Sequence, residues 1–302
     1  MILCLWPQCN NRCLMCTNPP DFGRQAAFYQ KEPFLRRIKS LALEKPQLDQ
    51  LLLTGGEPTV HPDFLAILSE IRNLLPRAQI KILTNGRAFF YELFAQKVLQ
   101  TDNLSLTFSF CGHNARRHDA VTRSPGSFAQ ALVGLKNVLR HKNQTHHTEI
   151  RVVLTKLLLK ENKKVSAFLA KNFSAVDALV FLFPEIEGIC EQNTKTIVPT
   201  YTQTQKSDFF QNFAKLTTKF RDRRLYHFPL CVVPPKLWPN VWRTMDRDDT
   251  IFIPKCAHCR YQKSCLGIPV GYKRFFGDKE FKPILRKQGV RETKNLFRPI
   301  ER

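Results

Sequence analysis

MILCLWPQCNNRCLMCTNPP, residues 1–20, sets a short apolar run, Ile2–Trp6, directly before three cysteines, Cys9, Cys13 and Cys16. The run is strand-sized, and three thiolates so closely spaced can wrap one face of a metal or cluster. Soft sulfur ligands select zinc or iron–sulfur. Structural zinc wants four ligands, and no Cys or His follows Cys16 until His61. Three local ligands instead leave a [4Fe–4S] cube with one iron open, a place where a small molecule can bind and be activated.

Working outward, short apolar runs alternate with longer amphipathic segments, the pattern of repeated βα units and a parallel sheet. After Ile2–Trp6 the strand candidates are Gln50–Leu53, Gln79–Leu83, Leu104–Phe108, Glu149–Leu154 and Ala178–Phe183. Their Val, Ile, Leu and Phe content suits strands buried on both faces. Pro62–Leu75 carries a stripe of period 3.6 through Phe64, Ile67, Leu68 and Ile71. Phe128, Leu132, Leu135 and Val138 mark another helix with Ser127 as its N-cap, and Phe209, Phe210, Phe213, Leu216 and Phe220 mark a sixth. Six units are fewer than the eight of a closed barrel, so the expected fold class is α/β, a partial (β/α)6 TIM-like barrel with its strand C-termini at one mouth. From Pro229 a series of prolines breaks the pattern. The expected organisation is a barrel over 1–226, a small loop-rich, Cys-rich domain over 227–281, and a basic surface helix or tail over 282–302.

Composition narrows the function classes. The 302 residues include 47 Lys and Arg against 25 Asp and Glu, a formal charge of +22, and 43% are hydrophobic. A chain this apolar is not disordered, and no run approaches the ~20 apolar residues of a spanning helix. The N-terminus lacks the basic and apolar regions of a signal peptide, so a cytoplasmic location is expected. In a reducing compartment ten cysteines argue for metal or catalytic chemistry over disulfides. The last 102 residues hold 22 basic and 9 acidic groups, a +13 excess that invites an acidic partner.

Leu52-Leu53-Thr54-Gly55-Gly56-Glu57-Pro58-Thr59 closes the second strand. Paired glycines let backbone approach a ligand closely, and a Glu held there can bind an ammonium group. Together with Cys9-x3-Cys13-x2-Cys16, this stretch resembles the radical S-adenosylmethionine (SAM) enzymes. The resemblance implies an open-iron [4Fe–4S] cluster on Cys9, Cys13 and Cys16 that chelates SAM and cleaves it to methionine and a 5′-deoxyadenosyl radical. It further implies that Gly55, Gly56, Glu57 and Pro58 hold the methionine amino group, and that Met15 lies beside the adenine. The resemblance also implies cofactor contacts from Asn85 after the third strand, from Ser109 at the end of the fourth, where a turn-forming serine is the plainer role, and from Arg151 in the fifth, where a salt bridge is the alternative. Cys111, just past strand four, is a candidate hydrogen-atom donor, although a small buried hydrophobe is the plainer role. Glu185 is a candidate acid–base group; Glu187, His113 and Asp119 are weaker ones.

Cys231 precedes Cys256-x2-Cys259-x5-Cys265, four thiols able to close a coordination shell. This segment resembles the SPASM/twitch extension of radical SAM peptide-modifying enzymes, but Pro269 stands where a further cysteine is expected. One auxiliary [4Fe–4S] cluster is therefore implied, with a zinc ribbon as the alternative on spacing alone. NRCLMCTNPP, His118-Asp119, Gly126-Ser127-Phe128, Arg151-Val-Val-Leu and Glu185-x2-Gly188 also resemble maturases of the His-Xaa-Ser peptide system.

The resemblance implies an oxidoreductase that abstracts a hydrogen atom from a ribosomally made peptide or protein, giving a crosslink, an epimerised residue or an oxidised side chain. A flavodoxin or ferredoxin would supply the electron. With Cys9 so near the first residue, leader recognition is expected from a separate leader-peptide-binding protein or from the C-terminal domain. The rival readings are a radical SAM enzyme that modifies tRNA or rRNA, and a zinc-dependent nucleic-acid-binding protein without catalysis.

Overall fold

The computed structural model describes residues 1–301. All six expected strands form: β1 (Ile2–Trp6), β2 (Gln50–Gly55), β3 (Gln79–Thr84), β4 (Leu104–Ser109), β5 (His147–Val153) and β6 (Ala178–Leu182). Two short strands that the hydrophobic pattern does not reveal follow them, β7 (Asp222–Tyr226) and β8 (Val241–Trp242). The eight strands join in chain order, parallel at every register described, with β1 and β8 as the free edges. The sheet is thus the open α/β arrangement expected, longer by two strands. DRRLY is too polar to read as a buried strand, and VW is a two-residue strand that follows closely on Pro234, Pro235 and Pro239.

The chain packs as two compact units. The first comprises residues 1–13, 18–151 and 175–177, and the second residues 14–17, 152–174 and 178–301.

In the first unit the strands alternate more strictly than a sheet apolar on both faces would. Leu104, Leu106 and Phe108 of β4 are fully buried on one face, while Ser105 and Thr107 are buried on the other. The polar face is paired: buried Glu149 of β5 accepts from Lys81 Nζ at 3.2 Å and from Arg151 Nε at 2.7 Å, and Thr107 Oγ1 lies 3.4 Å away. A buried carboxylate is tolerated because these donors replace its lost water. Helix α1 (Lys31–Glu44) buries Phe34, Ile38 and Leu41, and α2 (Phe64–Leu74) buries Phe64, Ile67, Leu68 and Ile71. At about 1.5–3 kcal/mol for each large apolar side chain, these stripes are the main reason the segments hold as helices.

Helix α3 (Glu92–Val98) is followed by α4 (Ala115–Thr122) and α5 (Ser127–His141). Ser127 does not cap α5. Gly126, in the left-handed region at φ 81°, is the N-cap, and Ser127 is the first helical residue. Capping comes from Asp119 of α4, whose carboxylate accepts from Gly126 N, Ser127 Oγ and Phe128 N, each at 2.8 Å. Burial opposes ionisation of Asp119, but these bonds outweigh it and hold the carboxyl below its ordinary value. Asp119 is therefore engaged as a helix cap.

The second unit contains β6, β7 and β8 and an aromatic core. Phe183 stacks on Tyr201 at 3.9 Å, Tyr201 meets Tyr272 at 4.5 Å, and Phe209 and Phe213 edge onto Phe181. The 282–301 stretch is not helical; it ends in a small antiparallel pair, Arg291–Glu292 with Ile300–Glu301. Among the described residues no helix is long and apolar enough to cross a membrane.

Candidate metal and cofactor site

Gly55 and Gly56 end β2 against the segment that carries the first cysteine. Gly56 N donates to Trp6 O at 2.7 Å, and Glu57 N to Gln8 O at 2.8 Å. A Cβ on Gly56 would lie 2.4 Å from both the Pro7 and Gln8 carbonyl oxygens, and one on Gly55 (φ 134°) would lie 2.3 Å from Trp6 O. The glycine pair is needed because two backbones touch here, with the Cys9 segment as the second one. Asn18 Nδ2 adds a 2.8 Å bond to Gly55 O.

Glu57 is 1% exposed and its carboxylate is fully used. Oε1 accepts from Thr59 N at 3.1 Å, Thr59 Oγ1 at 2.5 Å and Thr84 Oγ1 at 2.7 Å, while Oε2 accepts from Asn85 N at 2.6 Å. Burial raises its pKa, against the opposing pull of those four bonds. Its side chain ties the end of β2 to the end of β3. Pro58 is buried at the start of the short turn Pro58–Val60.

Asn85 passes this order to the cysteine loop: its Nδ2 donates to Asn10 Oδ1 at 2.7 Å and lies 3.8 Å from Cys9 Sγ. Asn11 N also points at Cys9 Sγ, at 3.3 Å. Arg87, unremarked in the sequence, grips the same loop through Asn10 O and through Asn11 Oδ1 at 2.8 Å, with its Nε on Gln130 Oε1 at 2.6 Å. Arg12 N and Ser124 Oγ complete the hold, on Thr122 O and Asn10 O. Thus Cys9, Gly55, Gly56, Glu57 and Asn85 share one hydrogen-bonded constellation at the C-terminal ends of β1, β2 and β3. Cys13 is half-buried in the same unit; Met15 and Cys16 are half-buried and belong to the second.

Ser109 and Arg151 are register partners on β4 and β5. Arg151 is committed to Glu149 through its Nε. Cys111 is 4% exposed, and burial pushes its thiol up to about 12, so it stays protonated, the form that can donate a hydrogen atom. Its backbone N–H donates to His118 Nδ1 at 3.2 Å.

In the second unit Cys190 N donates to Cys16 O at 2.8 Å. Glu185 lies 3.3 Å from His227 Nε2, and His227, at φ 66°, places Nδ1 3.1 Å from Phe183 O. Burial raises the Glu187 carboxyl, and neighbouring Glu185 and Asp249 add to the rise.

Cys231, Cys256, Cys259 and Cys265 all line one small cavity, walled by Leu230, Phe252, Ile253, Phe281 and Ile284. Backbone N–H groups point at the sulfurs: Leu230 N and Gly267 N at Cys265, at 3.4 and 3.5 Å, and Ile284 N at Cys259, at 3.4 Å. N–H···S bonds of this kind favour thiolate and tune iron–sulfur centres. Burial pushes the Cys231 thiol up to about 12, and its neighbours Cys265, Cys256 and Cys259 add to the rise.

Several known proteins share part of this chain. It is 35% identical over 86 residues to a GTP 3′,8-cyclase of Haemophilus influenzae (strain PittEE), a match covering 28% of the chain and 25% of that protein. It is 30% identical over 132 residues to the mycofactocin maturase MftC of Mycobacterium tuberculosis (strain CDC 1551 / Oshkosh), covering 43% and 32%. The chain therefore spans less than half the length of these curated relatives. The solved structure of anSMEcpe with bound AdoMet and Kp18Cys peptide superposes with a TM-score of 0.57 at 16% identity, over 74% of this chain and 63% of that one, a likeness of fold. The family model described as the Radical SAM superfamily matches residues 3–163, more than half of the chain, and the protein accordingly belongs to the radical SAM superfamily.

Proposed function

We propose that this protein is a SAM-cleaving oxidoreductase that modifies a ribosomally made peptide or protein. The observation that carries the reading is the constellation joining the Cys9 loop to Gly55-Gly56-Glu57 and Asn85 at the strand ends. When bound on Cys9, Cys13 and Cys16, a [4Fe–4S] cluster with an open iron supplies reductive cleavage of SAM and hydrogen-atom abstraction. The chain's own part is positioning. Asn85 and Asn11 direct N–H groups at Cys9 sulfur, Glu57 holds Asn85 in place, and Arg87 anchors the Asn10–Asn11 backbone. Gly55 and Gly56 keep the strand end in backbone contact with the Pro7–Gln8 segment, which fixes the chain leading into Cys9 before any ligand arrives.

The second centre supports a peptide substrate, because the SPASM/twitch resemblance belongs to peptide-modifying enzymes. Four thiols ringing a cavity and receiving N–H···S bonds suit a multi-iron cluster. In this reading 1–226 is the catalytic barrel, 227–281 the auxiliary-cluster domain and 282–302 a basic tail, served by a flavodoxin- or ferredoxin-type donor. The relatives are a GTP 3′,8-cyclase and a mycofactocin maturase, and the paired thiol centres support the peptide reading.

Anaerobic reconstitution tests the proposal. About eight irons per chain are expected, and reduction in the presence of SAM is expected to release 5′-deoxyadenosine. Cys9→Ala, Cys13→Ala and Cys16→Ala should each abolish that release, and persistent cleavage in these variants would refute the reading.

A further inference from the structure

We propose that the basic lip around the four-thiol cavity is the docking surface for an acidic one-electron carrier protein, which reduces the centre held there. The inference rests on the reading that Cys231, Cys256, Cys259 and Cys265 hold an iron–sulfur cluster.

Three observations carry it. First, the segment 281–288 is laced along the cysteine loop. Arg260 N donates to Ile284 O at 2.9 Å, Gln288 N to Tyr261 Oη at 2.8 Å, and Ile284 N points at Cys259 Sγ at 3.4 Å. This lacing brings Lys282, Arg286 and Lys287 to the same rim as Lys255 and Arg260, all of them exposed. Lys255 and Lys282 line the thiol cavity itself.

Second, the stretch is basic. Residues 254–290 contain nine Lys and Arg and two carboxylates, Asp278 and Glu280; Arg274 is paired with Glu191, and the exposed Asp246, Asp248 and Asp249 lie just before Phe252. Glu280 is already engaged by Tyr272 Oη and lies 3.4 Å from Thr202 N. Third, the rim has an apolar component: Phe252, in the cavity wall, is 41% exposed, and Leu285 is 70% exposed. A small apolar centre inside a basic rim suits a transient protein complex, where charge steers the encounter and apolar contact sets the distance. Phosphate binding alone would have no need for apolar side chains at the mouth of a thiol cavity. The step itself is simple: one electron leaves the reduced carrier and enters the oxidised centre, with no bond made or broken and no proton moved.

The experiment titrates the cluster-loaded full chain with an acidic flavodoxin by calorimetry. Lys255→Glu/Lys282→Glu/Arg286→Glu is expected to weaken binding about tenfold or more at low salt, and wild-type affinity should fall about tenfold between roughly 50 and 200 mM salt. Lys39→Glu/Lys45→Glu/Lys97→Glu changes net charge equally and should bind within about twofold of wild type. If the charge-reversed lip fails to fold, Lys255→Gln/Lys282→Gln should show an intermediate loss. Unchanged affinity in the lip variants overturns the proposal. Equal weakening by both triple variants overturns it too, as does loss of transfer-RNA binding alone while flavodoxin binding persists. Iron content and electron paramagnetic resonance of the same samples separate the two readings. About four irons with zinc would refute the auxiliary cluster, whereas about eight irons with an indifferent lip would refute only the docking surface.

Discussion

Gly56→Ala is the most direct perturbation of the cysteine loop, because it adds one methyl group where two backbones meet. The new Cβ would lie 2.4 Å from the carbonyl oxygens of both Pro7 and Gln8, with Gln8 C at 2.6 Å. These are backbone atoms with no rotamer to change, so the Pro7–Gln8 segment must retreat, carrying Cys9 with it. The retreat puts two bonds at risk, Gly56 N to Trp6 O at 2.7 Å and Glu57 N to Gln8 O at 2.8 Å. At about 0.5–1.5 kcal/mol for each, their loss costs about 1–3 kcal/mol, and residual overpacking adds about 1–3 kcal/mol. Gly126→Ala is the matched control. It has φ 81° but no atom within 4 Å of its added Cβ, so it should cost only the about 1–2 kcal/mol of a left-handed alanine. Thermal unfolding and 5′-deoxyadenosine release, measured on both variants after reconstitution, check the argument. Gly56→Ala should melt lower than Gly126→Ala and lose about 100-fold in release, the order expected for an ångström-scale misplacement, while Gly126→Ala keeps its rate. A Gly56→Ala protein with wild-type melting and rate would refute the claim that backbone contact sets the loop.

Two further outcomes follow from buried titratable groups in the same unit. Glu57→Gln relieves a buried charge but sets an amide N–H against Asn85 N–H, so a stability loss of about 2 kcal/mol is expected by denaturant unfolding. Unchanged stability with abolished SAM binding would show instead that Glu57 acts on the ligand. His118 is 1% exposed, and burial, assisted by Arg87 and opposed by Asp119, lowers its pKa to about 4. Because the folded form resists protonation, stability is full above the unfolded value near 6.5 and declines as pH falls from there toward about 4, by up to about 3 kcal/mol. Urea midpoints across that window should fall in wild type and flatten in His118→Gln; parallel slopes would refute the assignment.

The α/β alternation was legible because strand and helix periods differ, and six strands and the main helical stripes lie where the apolar pattern places them. Asp222–Tyr226 and Val241–Trp242 were not legible, since neighbours in the sheet stabilise these short segments more than their own composition does. Ser127 shows the same limit at a helix end. A hydroxyl before an apolar stripe resembles a cap, yet Asp119, eight residues earlier, supplies the capping oxygens.

The cysteine spacing and Gly-Gly-Glu-Pro carried the resemblance to the radical SAM family from sequence alone, because such motifs are a matter of residue type and local spacing. Which groups hold those residues in place is a long-range matter. Arg87 reaches Asn11 across 76 positions and Asn85 reaches Asn10 across 75, and no local pattern announces either contact. Likewise, nothing in the sequence shows that Glu57 spends its carboxylate on Thr59, Thr84 and Asn85, or that residues 281–284 wall the four-thiol cavity. Residue type determined what the sites can bind. Folding decided what each side chain is free to do, because a buried polar group must take its partners from whatever the tertiary structure brings near.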